Sequence, residues 1–280
     1  MHPGEAVYLQ SWRAELALAF ERRAPRTVLA ARRHEGPLVV QKALYPEGES
    51  VCHAIILHPP AGIAGGDEIA LAVRCSGGAH ALLTTPGAGK WYRSAGHWAR
   101  QGLDFEVDAG ACLEWLPQET IVFDGALAQL QTEVRLAGDA RYIGWEILCF
   151  GRTGSGETYR RGECRVRTTI LRDGKPQWVE RGVIEGGGRL LDAKAGLAGQ
   201  PVCGTLTVAA PGLDAGLVTA CRVPQPSAGD GAVTLVSGVL LARYLGPSGE
   251  AARRYFATLW EIVRPEVAGR RAVAPRIWAT

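Results

Sequence analysis

The chain has 280 residues, of which 47% are hydrophobic and 21% charged, a balance typical of a globular protein that buries its own core. A formal net charge of only +3, with arginines spread among acidic residues, argues against a nucleic-acid-binding surface. Widely spaced cysteines without a Cys-x-x-Cys pair, no run of ~18 apolar residues and no signal-peptide pattern predict a cytoplasmic protein without a membrane span.

Most of the chain alternates polar and apolar residues at a period of two, which predicts β-strands. Inside one such segment, Asp173-Gly174 is a strong signal for a tight hairpin turn. The predicted strand segments are 14–23, 36–45, 51–58, 68–75, 79–87, 102–118, 127–136, 141–151, 164–184, 204–212, 217–224 and 232–245.

The clearest helix signal lies near the C-terminus, between Ser248 as N-cap and Pro265 as the end. Its apolar residues recur every three or four positions and form one helix face. A second, weaker helix is predicted over 189–197. These elements predict a mainly β fold, one large domain over 1–280 with about two α-helices, and the β-α-β alternation of a doubly wound sheet is missing.

Two glycine-rich segments raise the question of a phosphate site. ILHPPAGIAGGDEI, residues 56–69, joins an apolar run to a turn that ends in two acids, and TTPGAGKWYRS contains Gly89-Lys90. A phosphate-binding P-loop needs a glycine five positions before that Gly and Ser or Thr after the Lys. Thr84 and Trp91 occupy those positions, so nucleotide binding is not predicted.

Any metal contact in the first segment is predicted to be weak. On a straight strand, Cys52 and His58 are roughly 20 Å apart at ~3.3 Å per residue and do not chelate one ion. One interpretation makes Cys52 a core thiol and His58 a hydrogen-bonding anchor of the loop. The other is a transient nickel or zinc contact through His58, Asp67 or Glu68, because imidazole and carboxylate suit nickel without selecting it strongly.

Acidic residues cluster around two predicted strands, and Glu119 and Asp124 flank one apolar run. Their opposite parity places them on opposite faces of a straight strand. Pairing with the abundant arginines is the favoured interpretation. The alternative is an enzyme, a β-rich hydrolase that uses a carboxylate pair or a Ser-His-Asp set assembled in space.

Five segments together resemble one family, the urease accessory protein UreD, also called UreH. They are LHPPAGIAGGDEI, TTPGAGKWYRS, WLPQETIVFDGA, GWEILCFGRTGSGE and LWEIVRPEVAGRRAVAPRIWAT. The resemblance keeps their order and spans about 14–280. Each segment alone is a weak signal, but five segments in the same order make the resemblance to the family specific.

The resemblance implies a mainly β fold with two helices and a non-enzymatic scaffold. Such a scaffold binds apo-urease and UreF, UreF recruits the GTPase UreG, and nickel is delivered to the urease active site without a tightly bound cofactor. Whether the chain dimerises alone or only inside that complex is not decided by the sequence.

Two sets of site residues follow as hypotheses. Polar groups are dense beside turns whose glycines allow unusual backbone conformations, and this predicts a passage for transient nickel or the opening of such a passage. The residues predicted to form it are His58, Asp67, Glu68, Glu119, Asp124 and Glu146. Trp, Tyr and Arg are enriched at interface hot spots. The predicted contacts with UreF or urease are Lys90, Trp91, Tyr92, Arg93, Trp260 and Trp278.

Overall fold

The computed structural model describes residues 11–279, and the strands of two β-sheets account for nearly half of them. The strands are β1 (Arg13–Arg23), β2 (Arg26–Glu35), β3 (Val39–Val40), β4 (Cys52–Leu57), β5 (Glu68–Cys75), β6 (His80–Thr84), β7 (Gly89–Trp91), β8 (Ala99–Val107), β9 (Cys112–Trp115), β10 (Thr120–Val122), β11 (Leu127–Leu136), β12 (Arg141–Phe150), β13 (Glu163–Arg172), β14 (Lys175–Glu185), β15 (Val202–Ala209), β16 (Asp230–Val236) and β17 (Val239–Gly246). The helices are α1 (Arg189–Asp192), α2 (Ala215–Cys221) and α3 (Gly249–Ala268), with 3-10 turns at Thr153–Ser155 and Arg276–Ala279.

The strands divide between a seven-stranded and a ten-stranded sheet. The first has the order β14-β13-β11-β8-β5-β1-β2, and the second has the order β16-β17-β15-β12-β9-β6-β4-β3, with β10 beside β12 and β7 beside β10. Strands far apart in sequence, such as β1 and β5, pair in parallel. The predicted mainly β fold, with its clearest helix near the C-terminus, is confirmed.

Apolar side chains form two clusters, one on each face of the ten-stranded sheet. Strand β12 shows how: Tyr142 and Leu148 face the seven-stranded sheet, while Ile143, Trp145 and Ile147 face the cluster that contains α3. A strand buried on both faces requires a nearly continuous apolar sequence. The resulting layers are the seven-stranded sheet, the ten-stranded sheet and the two longer helices.

The prediction of a strand over 217–224 is wrong, because α2 occupies most of that segment. Asp214 caps the helix by accepting a hydrogen bond from the Leu217 N–H at 2.9 Å. Val218 and Cys221 are buried in the cluster that contains α3. The apolar residues of a segment this short fit both the strand period of two and the helix period of 3.6, and packing against α3 selects the helix.

Helix α3 begins after Ser248, as predicted, but it continues through Pro265 to Ala268. The helix ends where Gly269 adopts the left-handed conformation and donates its N–H to the Pro265 carbonyl at 3.0 Å. The helix predicted over 189–197 is only the four-residue α1 followed by turns. Within residues 11–279 none of the helices is long and apolar enough to cross a membrane.

The hairpin prediction is confirmed, since Asp173 and Gly174 connect β13 and β14 with φ values of 50° and 76°. Strand β2 was not predicted, because it is an edge strand whose last residues are exposed on both faces and lack alternation. Residues 1–10, part of the segment without a signal-peptide pattern, lie outside the described residues.

Candidate functional site

A cavity of about 860 Å³ lies between the two sheets. Strands β5, β8, β11, β13 and β14 form one wall, and strands β12, β15 and β17 form the other. Most of its lining is apolar, but both sheets also turn hydroxyl, amide and charged side chains into it. Uncharged polar residues of the lining include Gln101, Thr120, Thr132, Thr168, Thr205 and Thr207 from the strands and Thr85 and Gln118 from loops.

Three of the six predicted passage residues line this inter-sheet cavity, namely His58, Glu119 and Glu146. They come from the loop that follows β4, the loop before β10 and the middle of β12. The other three, Asp67, Glu68 and Asp124, are not part of its lining. The structure therefore brings together half of the predicted set.

Glu146 is the carboxylate at the centre of the cavity wall on β12. No described residue forms a hydrogen bond or an ion pair with its side chain. Burial, and to a smaller extent the negative charge of Glu180, raises the pKa of Glu146 to about 7. This carboxylate is thus free to receive a cation or a proton near neutral pH.

Glu180 and Arg243 face the same cavity and were missed by the sequence analysis. Arg243 donates to the Glu180 carboxylate at 2.5 Å and to the Thr205 hydroxyl at 2.7 Å. Glu180 belongs to β14 and Arg243 to β17, so the pair links the two sheets. Alternation along each strand places both residues on the inner face, but no sequence signal shows that the two strands face one another.

His58 and Glu119 lie in loops that contribute to the cavity lining. Burial lowers the pKa of His58, so its imidazole is neutral at physiological pH and able to act as a ligand. The Glu119 carboxylate forms an ion pair with the Nε of Arg253 of α3 at 3.5 Å. Glu119 therefore pairs with an arginine, which is the interpretation that the sequence favoured.

Asp67 and Glu68 have structural partners away from the cavity. The Asp67 carboxylate accepts hydrogen bonds from the N–H groups of Trp12 at 2.9 Å and Ala64 at 2.8 Å, which closes the loop before β5. Glu68 is exposed and pairs with Arg100 of β8 at 3.3 Å. Both carboxylates stabilise the seven-stranded sheet and its first loop.

Asp124 is the acceptor at the centre of a loop–loop junction. Its carboxylate accepts hydrogen bonds from the backbone N–H groups of Arg160 and Arg161, each at 2.9 Å, and from the Arg161 guanidinium at 2.8 Å. The Arg161 hydrogen bond holds the pKa of Asp124 below its ordinary value. Asp124 therefore fixes the segment before β13, as the arginine-pairing interpretation predicts.

The glycines of residues 56–69 serve close packing. A Cβ on Gly62 would lie 2.1 Å from the ring of Tyr92, and a Cβ on Gly65 would lie 2.4 Å from the hydroxyl of Ser94. The loop thus packs against the segment that follows β7. This contact places His58 and the residues around Lys90 in one rim of the cavity.

The predicted partner-contact residues differ in exposure. Trp91 and Trp260 are each only 1% exposed, so their side chains belong to the core and offer no contact area in this structure. Tyr92 is 38% exposed, and Lys90 and Arg93 are exposed beside it. The exposed part of the predicted set is therefore the loop around Tyr92.

Trp278 docks the C-terminal tail on the helix side of the ten-stranded sheet. Its indole N–H donates to the Thr84 hydroxyl at 2.8 Å. Its ring packs against Trp145 at 5.5 Å and Trp260 at 5.7 Å between centroids. These contacts hold the C-terminal tail against the ten-stranded sheet.

A buried charge network joins α3 to the ten-stranded sheet. The Arg264 guanidinium, with no exposed surface, donates to Glu114 at 3.0 Å and to Glu47 at 2.7 Å. His80 and Trp260 also bind Glu114, each at 2.6 Å. The sequence signal for this network was a charged residue on the apolar face of α3.

Both carboxylates of the network are held ionised. Burial acts against ionisation, but hydrogen bonds from His53 and Arg264 lower the pKa of Glu47 to about 2. The hydrogen bond from His80 and the charge of Arg264 likewise lower the pKa of Glu114 against the effect of burial. The network is therefore a structural clamp.

Closed metal sites do not occur in the described part of the chain. No group of three or more His, Cys, Asp or Glu residues among positions 11–279 is arranged to hold an ion. What the cavity offers is a set of separate oxygen and nitrogen donors. Donors of these types suit a hard or borderline divalent cation.

Comparisons with known proteins agree along nearly the whole chain. The sequence profile described as UreD urease accessory protein matches residues 13–279. The urease accessory protein UreD of Azoarcus sp. (strain BH72) is 59% identical over 269 residues, covering 96% of this chain and 94% of that relative. Those of Dechloromonas aromatica (strain RCB) and Pseudomonas aeruginosa are 56% and 49% identical, each covering 96% of this chain and at least 95% of the relative. The chain therefore belongs to the UreD urease accessory protein family.

Proposed function

We propose that this protein is a non-enzymatic scaffold for urease maturation, which binds apo-urease and the UreF–UreG complex while nickel passes to the urease active site. Family membership supports a role in urease maturation. The observation that carries the nickel step is the cavity between the sheets, which His58, Glu119 and Glu146 all line.

Nickel is the cargo of this proposal, held briefly at separate donors. A neutral imidazole and carboxylates are suitable ligands for a divalent cation, and the surrounding hydroxyl and amide groups replace part of its water shell. Glu146 is the strongest candidate contact, because its carboxylate, unlike that of Glu119, has no ion-pair partner among the described residues. The scattered donors support transfer, since a delivery protein must release its ion.

The partner side of the proposal rests on the loop next to the cavity rim. Lys90, Tyr92 and Arg93 are exposed there, and Lys90 also lines the cavity. Tyr and Arg are enriched at interface hot spots. We assign this loop to the contact with UreF or urease, so that a partner docks where the ion enters or leaves.

The cytoplasm is the proposed location, with the chain working as a single domain. All seven cysteines are free thiols and six are buried, as expected of a protein from a reducing compartment. Both sheets contribute to one cavity, which supports a single structural unit.

The test is nickel transfer to urease. Urease subunits are produced with UreF and UreG, with or without this chain, and the nickel content and activity of purified urease are measured. We expect nickel-poor, inactive urease without the chain. Normal nickel loading in its absence would contradict the scaffold role.

A second comparison tests the cavity itself. Glu146→Gln removes the free carboxylate, and Glu68→Gln is the matched control, because Glu68 lies outside the cavity. We expect Glu146→Gln to lower nickel loading several-fold while the accessory complex still assembles, with Glu68→Gln unchanged. Equal loading by both variants and by the wild type would remove the cavity from the pathway.

A further inference from the structure

Strand β14 forms a free edge of the seven-stranded sheet. It pairs with β13 on one side and with no other described strand on the other. An edge of 11 residues presents a row of N–H and C=O groups with which another chain can pair. Pro176 and a register shift protect only the first residues of the strand, and 178–185 pair in regular register.

The solvent-facing side of this edge carries an unusual pair of like charges. Arg167 of β13 and Arg181 of β14 lie directly opposite each other, and both are exposed. No acidic residue within the described chain forms an ion pair with either. Like charges in this arrangement are destabilising. By contrast, Arg165 of the neighbouring pair binds Glu163 at 2.5 Å.

Exposed apolar side chains flank the two arginines on the same face. Val179 is 44% exposed and Val183 is 51% exposed, one on each side of Arg181 along the strand. The outer face of β14 therefore alternates apolar and cationic groups beside a free backbone edge. This surface complements an extended segment that alternates apolar and acidic side chains.

We propose that β14 binds an extended acidic segment of a partner protein, which adds to the sheet as an eighth strand. Its backbone pairs with the free edge, its carboxylates neutralise Arg167 and Arg181, and its apolar side chains cover Val179 and Val183. A second copy of this chain is a poor occupant, because pairing β14 with another β14 places two Arg167–Arg181 pairs on adjoining strands. The proposal is independent of nickel passage.

A labelled synthetic peptide tests the charge requirement. The probe is about ten residues long, a typical strand length or slightly more, and alternates glutamate with valine and threonine. Its binding to the full chain is followed by fluorescence anisotropy at low salt. We expect binding by the wild type and about tenfold weaker binding by Arg167→Glu/Arg181→Glu, because two attractions become two repulsions.

The opposite edge of the same sheet supplies the matched control. Arg32 and Arg33 on β2 are also exposed arginines without an ion pair to a described residue. Arg32→Glu/Arg33→Glu makes the same change in net charge, so it should bind the peptide as the wild type does. Equal losses in both double variants, in proteins with unchanged thermal unfolding, would show general charge attraction and overturn the proposal.

Two further probes separate edge pairing from surface electrostatics. A peptide N-methylated at consecutive central residues keeps its charges but cannot pair through either edge, because successive N–H groups point to opposite edges of a strand, and we expect it not to bind. Binding as tight as that of the parent peptide would refute edge addition, as would failure of the wild type to bind the parent. In sedimentation, we expect the wild-type chain without peptide to be a monomer. A dimer that Arg167→Glu/Arg181→Glu abolishes would instead identify a second copy of the chain as the occupant of this edge.

Discussion

The buried network around Arg264 makes a quantitative prediction about stability. Replacing Arg264 with methionine keeps much of the side-chain volume but removes the guanidinium that binds Glu114 and Glu47. It also removes the donor to the Arg271 carbonyl at 2.6 Å, which holds the start of the C-terminal tail. The two carboxylates then remain buried with only histidine and indole donors.

The expected loss of unfolding free energy is about 3–5 kcal/mol, the usual effect of removing one partner of a buried ion pair. Total stabilities of domains are about 5–15 kcal/mol, so the loss is large. Urea unfolding followed by tryptophan fluorescence measures it. The control is Arg254→Met in the same helix, because the exposed Arg254–Glu250 pair contributes only about 0.3–0.5 kcal/mol.

A loss below about 1 kcal/mol for Arg264→Met, similar to that of the control, would refute the clamp. The double variant Glu114→Gln/Arg264→Met adds a second check. Its loss should be smaller than the sum of the two single losses, since residues of one network are not independent. Additive losses would mean that the two side chains do not act together.

Three further predictions follow. The raised pKa of Glu146 favours its protonated form in the fold, so this contribution to stability is present below about pH 4.5 and is lost as pH rises through about 7. In urea unfolding, the stability of Glu146→Gln should therefore rise relative to the wild type by up to about 3 kcal/mol between pH 5 and pH 8. A stability difference between the two proteins that stays constant with pH would contradict this. Gly62→Ala should lower stability by about 1–3 kcal/mol because Tyr92 must move, while Gly89→Ala, with nothing within 4 Å, should change thermal unfolding little. Trp278→Phe should cost about 1 kcal/mol through its lost indole hydrogen bond, measured by urea unfolding, and no change would mean that this bond does not hold the tail.

Local signals in the sequence predicted most of the fold. The apolar residues of β5 alternate strictly with exposed ones, and the Asp173-Gly174 turn connects its hairpin as expected. Helix α3 has its apolar face and its Ser248 cap. These features depend on residues at most a few positions apart, so the sequence displays them directly.

Elements whose form depends on neighbours were harder to predict. The segment of α2 has apolar residues compatible with either period, and its contact with α3 selects the helix. Strand β2 lacks alternation because its end has no layer over it. Pro265 lies inside α3, and the Gly269 cap four residues later sets the end of the helix.

The candidate site was likewise predictable only in part, because its members depend on contacts between distant segments. The sequence singled out Glu146 and His58, but it also grouped them with Asp67, Glu68 and Asp124, which the structure assigns to loop and surface contacts. The density of polar groups beside glycine-rich turns suggested one site, while strand order separates its members.

The sequence by itself determined the β-rich composition, the hairpin, the C-terminal helix and the family resemblance. Only the tertiary structure decided that Glu146, Glu180 and Arg243 share one cavity, that Glu114 and Arg264 form a buried clamp, and that β14 is a free edge. The physical reason is that periodicity records which face a side chain takes. The pairing of distant strands, which depends on the whole packed core, decides what that face meets.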